Sequence, residues 1–373
     1  MNKINIQNAI IKRKYFQYLR NCEGLSENTI KGIELAISLF EEFTHQENFI
    51  RFTSDKASNF KGWLQVRKYR GKNISLYTYK TYLKYLKKFF LWLSQQPGYI
   101  SKIKPNLIEY LNLRNRENKI FSLYNRVKYP DPEYCIKLAK SIIPENEIDL
   151  RDRALISFTF LTGMRDQAII SLPLECVDEV NLRVRQDPTY GVETKFTKLI
   201  LSKIFEIDKD LVKFLVDWIQ YLKNKGFSPK DPIFPKSKEN QNDSIICFQK
   251  PVEVESIFWK STSSIRKIFK ERSKQAELPY YQPRTIRHTT AYIATKSARS
   301  GRELKAISQH FGHEDIKTTL QIYGKYDEES LLETLDNIDF SNNKSSTMDD
   351  IMKELRDLKK QIPGSTQNEN LVK

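Results

Sequence analysis

The chain is poor in the residues that build cross-linked or metal-centred folds. Among its 373 residues are only four cysteines and four histidines. Cys22, Cys135, Cys176 and Cys247 are far apart, and no two have a CxxC spacing. That excludes a disulfide framework or a cysteine zinc site and fits a reduced, cytosolic setting. His310 and His313 stand three apart and would share a helix face, but no Cys, Asp or Glu at ligand spacing accompanies them. Long apolar runs are also missing. Nothing approaches the roughly 18 residues a membrane-spanning helix needs, so no membrane partner is expected. Met1 to Gln7 lack the apolar core and small-residue cleavage site of a signal peptide, so the expected location is cytoplasmic. No clustered set of carboxylates suggests a metal-dependent nuclease, and no cofactor is expected.

Acidic residues are outnumbered: 46 Asp and Glu face 62 Lys and Arg, for a net charge of +16. An excess of that size favours a polyanion as partner. The length suits two domains and a tail. Residues 1–112 read as helices. Ser26 is an N-cap candidate before Ile30, Ile33, Ala36, Ile37 and Phe40 at helical spacing. A second helix is expected from near Ser54, with Phe60, Trp63, Leu64 and Val66. A third follows Ser75, with Tyr79, Tyr82, Leu83, Leu86, Phe89, Phe90 and Leu93. Cations interleave these aromatics: Lys80, Lys84, Lys87 and Lys88 on the third helix, and Arg67, Lys68, Arg70 and Lys72 in a loop before it. Such a mixture suits a face laid against DNA phosphates, nucleoid-associated when bound; solvated lysines over an aromatic core are the alternative.

A polar run, Arg114 to Lys119, and the breaker Pro130-Asp131-Pro132 place a linker at 113–130. A second domain is expected over 131–340. It is helical from Asp149 to Leu161, strand-patterned from about Glu179 to Asp208 (Leu182 to Val184, Thr197 to Leu201), then helical again, including Asp210 to Leu222. The fold class is therefore mainly α with a small antiparallel β-sheet. The tail, 341–373, holds Met348, Ile351, Leu355 and Leu358 at spacings of 3, 4 and 3, a short amphipathic helix over 348–361.

The chemistry concentrates late in the chain. His313 is followed ten residues on by Tyr323, and two arginines in distinctive settings lie upstream, Arg165 after Thr162-Gly163 and Arg287 in Ile286-Arg287-His288-Thr289. Gly163 is expected to end one helix and Asp166 to begin the next, which sets Arg165 at a junction with open backbone N–H groups; an arginine capping a helix end is the plainer reading. Two planar guanidinium forks match a phosphate, a histidine adds a donor and a tyrosine supplies a nucleophile.

Thr162-Gly163-x-Arg165, Ile286-Arg287-His288-Thr289, Phe311-Gly312-His313 and Tyr323, in that order, resemble the tyrosine recombinase (phage integrase) family across about 131–335. The first half, with Leu25-Ser26-Glu27-Asn28-Thr29-Ile30, is similar to that family's helical, SAM-like core-binding domain, and the second would be its α+β catalytic domain. The resemblance implies that Arg165 and Arg287 grip the scissile phosphate, that His313 donates to a non-bridging oxygen and that Tyr323 attacks, with Tyr326 a rival outside the family spacing. The product would be a 3′-phosphotyrosine with a free 5′-hydroxyl, formed without metal or ATP. Lys195, or alternatively Lys198, would be the general acid on a hairpin turn. The implied partners are double-stranded DNA carrying specific target sites, clamped between the domains, and further copies of the chain, as a tetramer. Leu331, Leu332 and Leu335 would pack on a neighbouring protomer or within their own domain.

Two positions depart from the family. Arg284 fills the slot of a usual histidine three residues before Arg287, and Ala168 replaces a usual acid three residues after Arg165. Arg284 would still hydrogen-bond phosphate but cannot accept a proton. Asp166 or Glu175 would have to orient an arginine instead, and His288 is expected to pack or support. The reading is a site-specific recombinase of integrase, transposon or resolvase type. A DNA-binding protein with impaired catalysis and a relaxing type IB topoisomerase are the alternatives.

Overall fold

In the computed structural model, which describes residues 4–69, 71–113, 128–238, 252–313 and positions 319, 332 and 336, the first four helices begin at hydroxyl and amide caps. Helix α1 spans Ile6–Asn21 behind Asn5. Helix α2, Glu27–Phe43, starts where the Ser26 side chain accepts from the Thr29 N–H. Helix α3, Ser54–Val66, is capped by Thr53, and α4, Leu76–Leu93, by Ser75. Each cap satisfies an N–H that the first turn leaves without a partner. The expected cationic loop before α4 is instead a minimal antiparallel pair, β1 Lys68–Tyr69 and β2 Lys72–Asn73. Strands of two residues are too short for a period-two pattern to reveal them. A single turn, α5, covers Pro105–Ile108.

These elements belong to one of two compact units, Met1–Arg126, whose core is rich in aromatic rings. Phe90 of α4 stacks on Phe52 at 4.0 Å between centroids and meets Phe40 edge-on at 5.2 Å. Phe60 of α3 also meets Phe40 edge-on at 5.2 Å. Phe40, Phe60 and Phe90 stand on α2, α3 and α4, and Phe52 comes from the turn before α3, so the core closes on apolar stripes of three helices.

The second unit, Val127–Lys373, is built around a helix buried on all sides. Helix α6 is Pro132–Lys140 and α7 is Glu147–Thr162, buried continuously from Ala154 to Thr162. Against α7 pack α6, α9 (Lys209–Asn224) and α11 (Pro283–Ser297). Near its start α7 carries buried Arg151, whose Nε and Nη2 donate to Asp152 Oδ1 at 3.0 and 2.7 Å. Arg272 of α10 (Ser263–Gln275) donates to Asp152 Oδ2 at 2.8 Å, so neither buried charge stands alone.

After α7 come the short α8, Asp166–Ile170, and a three-stranded antiparallel sheet of β3 Val177–Asp178, β4 Arg183–Gln186 and β5 Ile200–Lys203, in that order. The strands are shorter than expected. Leu182 has φ 53°, and Phe196 and Thr197 have φ 63° and 52°. Left-handed backbone cannot continue a strand, so β4 starts one residue later than expected and β5 three. A second antiparallel pair, β6 Lys236–Ser237 and β7 Val254–Glu255, precedes α10. The last described helix, α12, is Gly301–His310 and packs on β5. Arg70, Cys247, Tyr323, Tyr326, Leu331, Leu335 and the 348–361 stripe lie outside the described residues, as does most of the expected linker.

Candidate active site

Two glycines decide where the site forms. Gly163 ends α7 in the left-handed region at φ 56°, and its N–H donates to Thr159 O at 3.0 Å. A side chain here would meet Phe311 Cε1 at 2.7 Å. The chain thereby turns within two residues from the buried helix to half-buried Arg165, the N-cap position of α8. Gly312 repeats the device after α12, with φ 59°; a Cβ there would overlap Ile200 Cδ1 and stand 3.5 Å from Arg165 Nη1. The two turns therefore face one another, and the second delivers His313 beside the Arg165 guanidinium.

Arg287 reaches the same place from α11. It is 8 % exposed. Its Nη1 donates to Gly163 O at 2.7 Å, its Nη2 donates to Phe311 O, and its guanidinium lies 4.8 Å from the centre of the Phe311 ring. The carbonyls of both turns thus orient one arginine, a pairing that joins residues 124 and 24 apart in sequence. The planar guanidinium fork is the shape that matches the oxygens of a phosphate.

His313 is where these charges converge. Burial, then the positive charges of Arg287, Arg165 and Lys195, hold its imidazole down to about 4, so it is neutral at pH 7. Its Nδ1 lies 2.8 Å from Thr319 Oγ1. Lys195 arrives on the turn between β4 and β5, with Nζ 4.7 Å from the centre of exposed Phe196. Lys198 lies 5.9 Å from the same ring.

Arg284 is exposed in the first turn of α11, and its charge bears on Asp166 and His288. His288 is half-buried, packs nearly parallel to Tyr129 at 6.0 Å and is held to about 4 by burial and then by Arg287 and Arg284. Asp166 has a buried Oδ1 with no hydrogen-bond partner among the described residues. Burial raises its carboxyl, and Arg266, Arg284 and Arg287 oppose that rise. Glu175 lines a hollow on the sheet beside Cys176, Asp178 and Arg183.

One expectation is corrected: His310 and His313 do not share a helix face, because α12 ends at His310 and Gly312 turns the chain aside. His310 is buried and bonds to Thr162 O and the Lys203 N–H. Neither its role nor the hold of Phe311 and Gly163 on Arg287 had a local signal in the sequence. Each pairing closes only in three dimensions.

Residues 135–330 match the model of the phage integrase family. The chain belongs to that family, the tyrosine recombinases, and is an enzyme of DNA strand breakage and rejoining. It is 25% identical to tyrosine recombinase XerC of Actinobacillus succinogenes over 189 residues, 51% of this chain and 54% of that protein. Against XerC of Lactobacillus delbrueckii subsp. bulgaricus it is 21% identical over 325 residues, 84% of this chain and 93% of that protein. In fold it is similar to the Tn1549 transposon integrase solved in complex with circular intermediate DNA, with a TM-score of 0.58 and 15% identity, over 87% of this chain and 98% of that one.

Proposed function

We propose that the chain is a site-specific recombinase that cuts and rejoins duplex DNA through a 3′-phosphotyrosine on Tyr323. The observation that carries the reading is the convergence of Arg165, Arg287 and Lys195 on a neutral His313. The two guanidinium groups would hold the non-bridging oxygens of the scissile phosphate. With Thr319 donating to Nδ1, His313 would carry its proton on Nε2 and offer it to the same phosphate. The attacking phenol, with an ordinary pKa near 10, would be drawn toward phenolate by the arginines. Its oxygen would form the new P–O bond as the bond to the 5′ oxygen breaks. Lys195 would hand its proton to that leaving oxygen. The ester keeps the bond energy, so rejoining by a 5′-hydroxyl needs no ATP, and the cations already in place supply the charge a metal would otherwise bring.

DNA affinity would draw on the N-terminal unit as well. Lys68, Lys80 and Lys84 are exposed there, the last two on one face of α4 with Tyr77. Three other candidate cations are engaged within the protein: Arg67 with Glu42 and the Trp63 ring, Lys87 with Glu109 and Asn112, and Lys88 with Glu23. Cleavage of paired target sites would need several copies of the chain, a tetramer on DNA.

The test is a nicked suicide duplex carrying the target site, incubated with protein in EDTA. A covalent protein–DNA band, lost in Tyr323→Phe, is expected. Tight binding without adduct would favour the second reading, a DNA-binding protein with impaired catalysis, which exposed Arg284 and the apolar Ala168 support. Relaxation of supercoiled plasmid lacking the target would point to a topoisomerase.

A further inference from the structure

Gln186, Ser202 and His310 are buried side by side, joined through hydrogen bonds that reach the His310 backbone and ring. Gln186 Nε2 of β4 donates to Ser202 Oγ of β5 at 2.7 Å. Ser202 Oγ donates to His310 O at 3.1 Å. The His310 ring is held by Phe205 and Phe311, each with its centre 4.6 Å away. The backbone N–H of Lys203 donates to His310 Nδ1 at 3.0 Å, and His310 Nε2 lies 2.8 Å from Thr162 O. A backbone N–H can only donate, so Nδ1 is an acceptor. A carbonyl can only accept, so Nε2 bears the hydrogen. One tautomer of the neutral ring satisfies both bonds, and burial keeps the ring neutral by holding it to about 4.

We infer that His310 is a positioning residue for the recombinase reaction: its Nε2–H tautomer ties together the three segments that deliver Arg165, Lys195 and His313. Thr162, held through its carbonyl, precedes Gly163 and Arg165. Lys203, held through its N–H, ends the strand that returns from the Lys195 turn. His310 itself stands three residues before His313, and its neighbour Phe311 accepts from Arg287. All four groups of the proposed phosphate site thus refer to one imidazole that touches no substrate. A displacement near 1 Å at such a joint is enough to cost about a hundredfold in rate.

The inference rests on the recombinase reading, and its test separates the two. In His310→Asn, the amide oxygen takes the place of Nδ1, so the Lys203 bond survives and the Thr162 bond is lost. In His310→Gln, the longer side chain carries its amide N–H to the place of Nε2, so the Thr162 bond survives. Adduct formation on the suicide duplex is measured with protein in excess, and DNA affinity by titration. We expect His310→Asn to form adduct about 10-fold or more slowly with affinity unchanged within about twofold, and His310→Gln to recover most of the rate. Equal rates in wild type and His310→Asn, or equal losses in both variants, would overturn the inference. Wild type forming no adduct at all would remove the recombinase reading and this inference with it. Should either variant fail to fold, long-range 1H–15N correlation of wild type at pH 7 still decides. His310 must show a pyrrole-type Nε2 and a pyridine-type Nδ1; the opposite tautomer or an imidazolium would sink the proposal.

Discussion

At Gly312 a left-handed φ of 59° coincides with a wall formed by Ile200 and the Arg165 guanidinium. Alanine there meets two penalties, a strained backbone and an overlap that the Ile200 side chain must shift to relieve. Gly312→Ala should therefore lower stability by about 1–3 kcal/mol, read from the urea midpoint at unchanged slope. Because Arg165 lies against the same point, adduct formation should fall by more than the loss of folded protein accounts for. A second residue-scale expectation concerns protons. His310 and His313 titrate in the folded chain near 4, below their ordinary 6.5. Between those values the unfolded chain binds protons that the folded chain excludes. Stability is therefore full above about 6.5 and is lost as pH falls toward 4. Tm should drop over that window, and His310→Gln should flatten the drop. By the same argument, His313 contributes no inflection to the rate of adduct formation between pH 6 and 8; an inflection near 6.5 that vanishes in His313→Gln would contradict its burial.

Among the elements, α4 divides its faces between two tasks. Phe90 closes the aromatic core against Phe52 and Phe40, and Phe90→Ala should cost the N-terminal unit about 3–5 kcal/mol, measured by chemical denaturation. On the opposite face Lys80 and Lys84 are exposed. Replacing both with glutamate should weaken binding to all DNA sequences alike and reduce the slope of log affinity against log salt by about 2. A slope that does not change would place DNA elsewhere on the unit. The helices were legible because cap, stripe and length agree: Ser26, Thr53 and Ser75 each stand before an apolar repeat. The strands were less so. Leu182, Phe196 and Thr197 have strand-favouring chemistry, yet they adopt left-handed backbone because the turns of the sheet need it. Propensity gives way there to the demands of the hairpin that presents Lys195.

For the whole molecule, the net charge of +16 and two separate cores set the expectations. The cores share no residue, so the fragment 1–126 should unfold cooperatively by itself, with a single transition by circular dichroism and by tryptophan fluorescence. Intact protein should lose DNA affinity steeply with salt, since phosphate contacts release counterions.

The sequence by itself determined the helical character of the chain and its basic charge, and it singled out Arg165, Arg287 and His313. Each of these rests on local pattern: a cap, a stripe, a glycine before an arginine, a histidine after a glycine. Only the tertiary structure decided which side chains meet. It set Arg284 at the surface, tied Arg67, Lys87 and Lys88 to carboxylates, separated His310 from His313 and cradled Arg287 on the carbonyls of Gly163 and Phe311. The cradle of Arg287 joins residues 124 and 24 apart along the chain, and its hydrogen bonds close only when α7, α11 and α12 have packed.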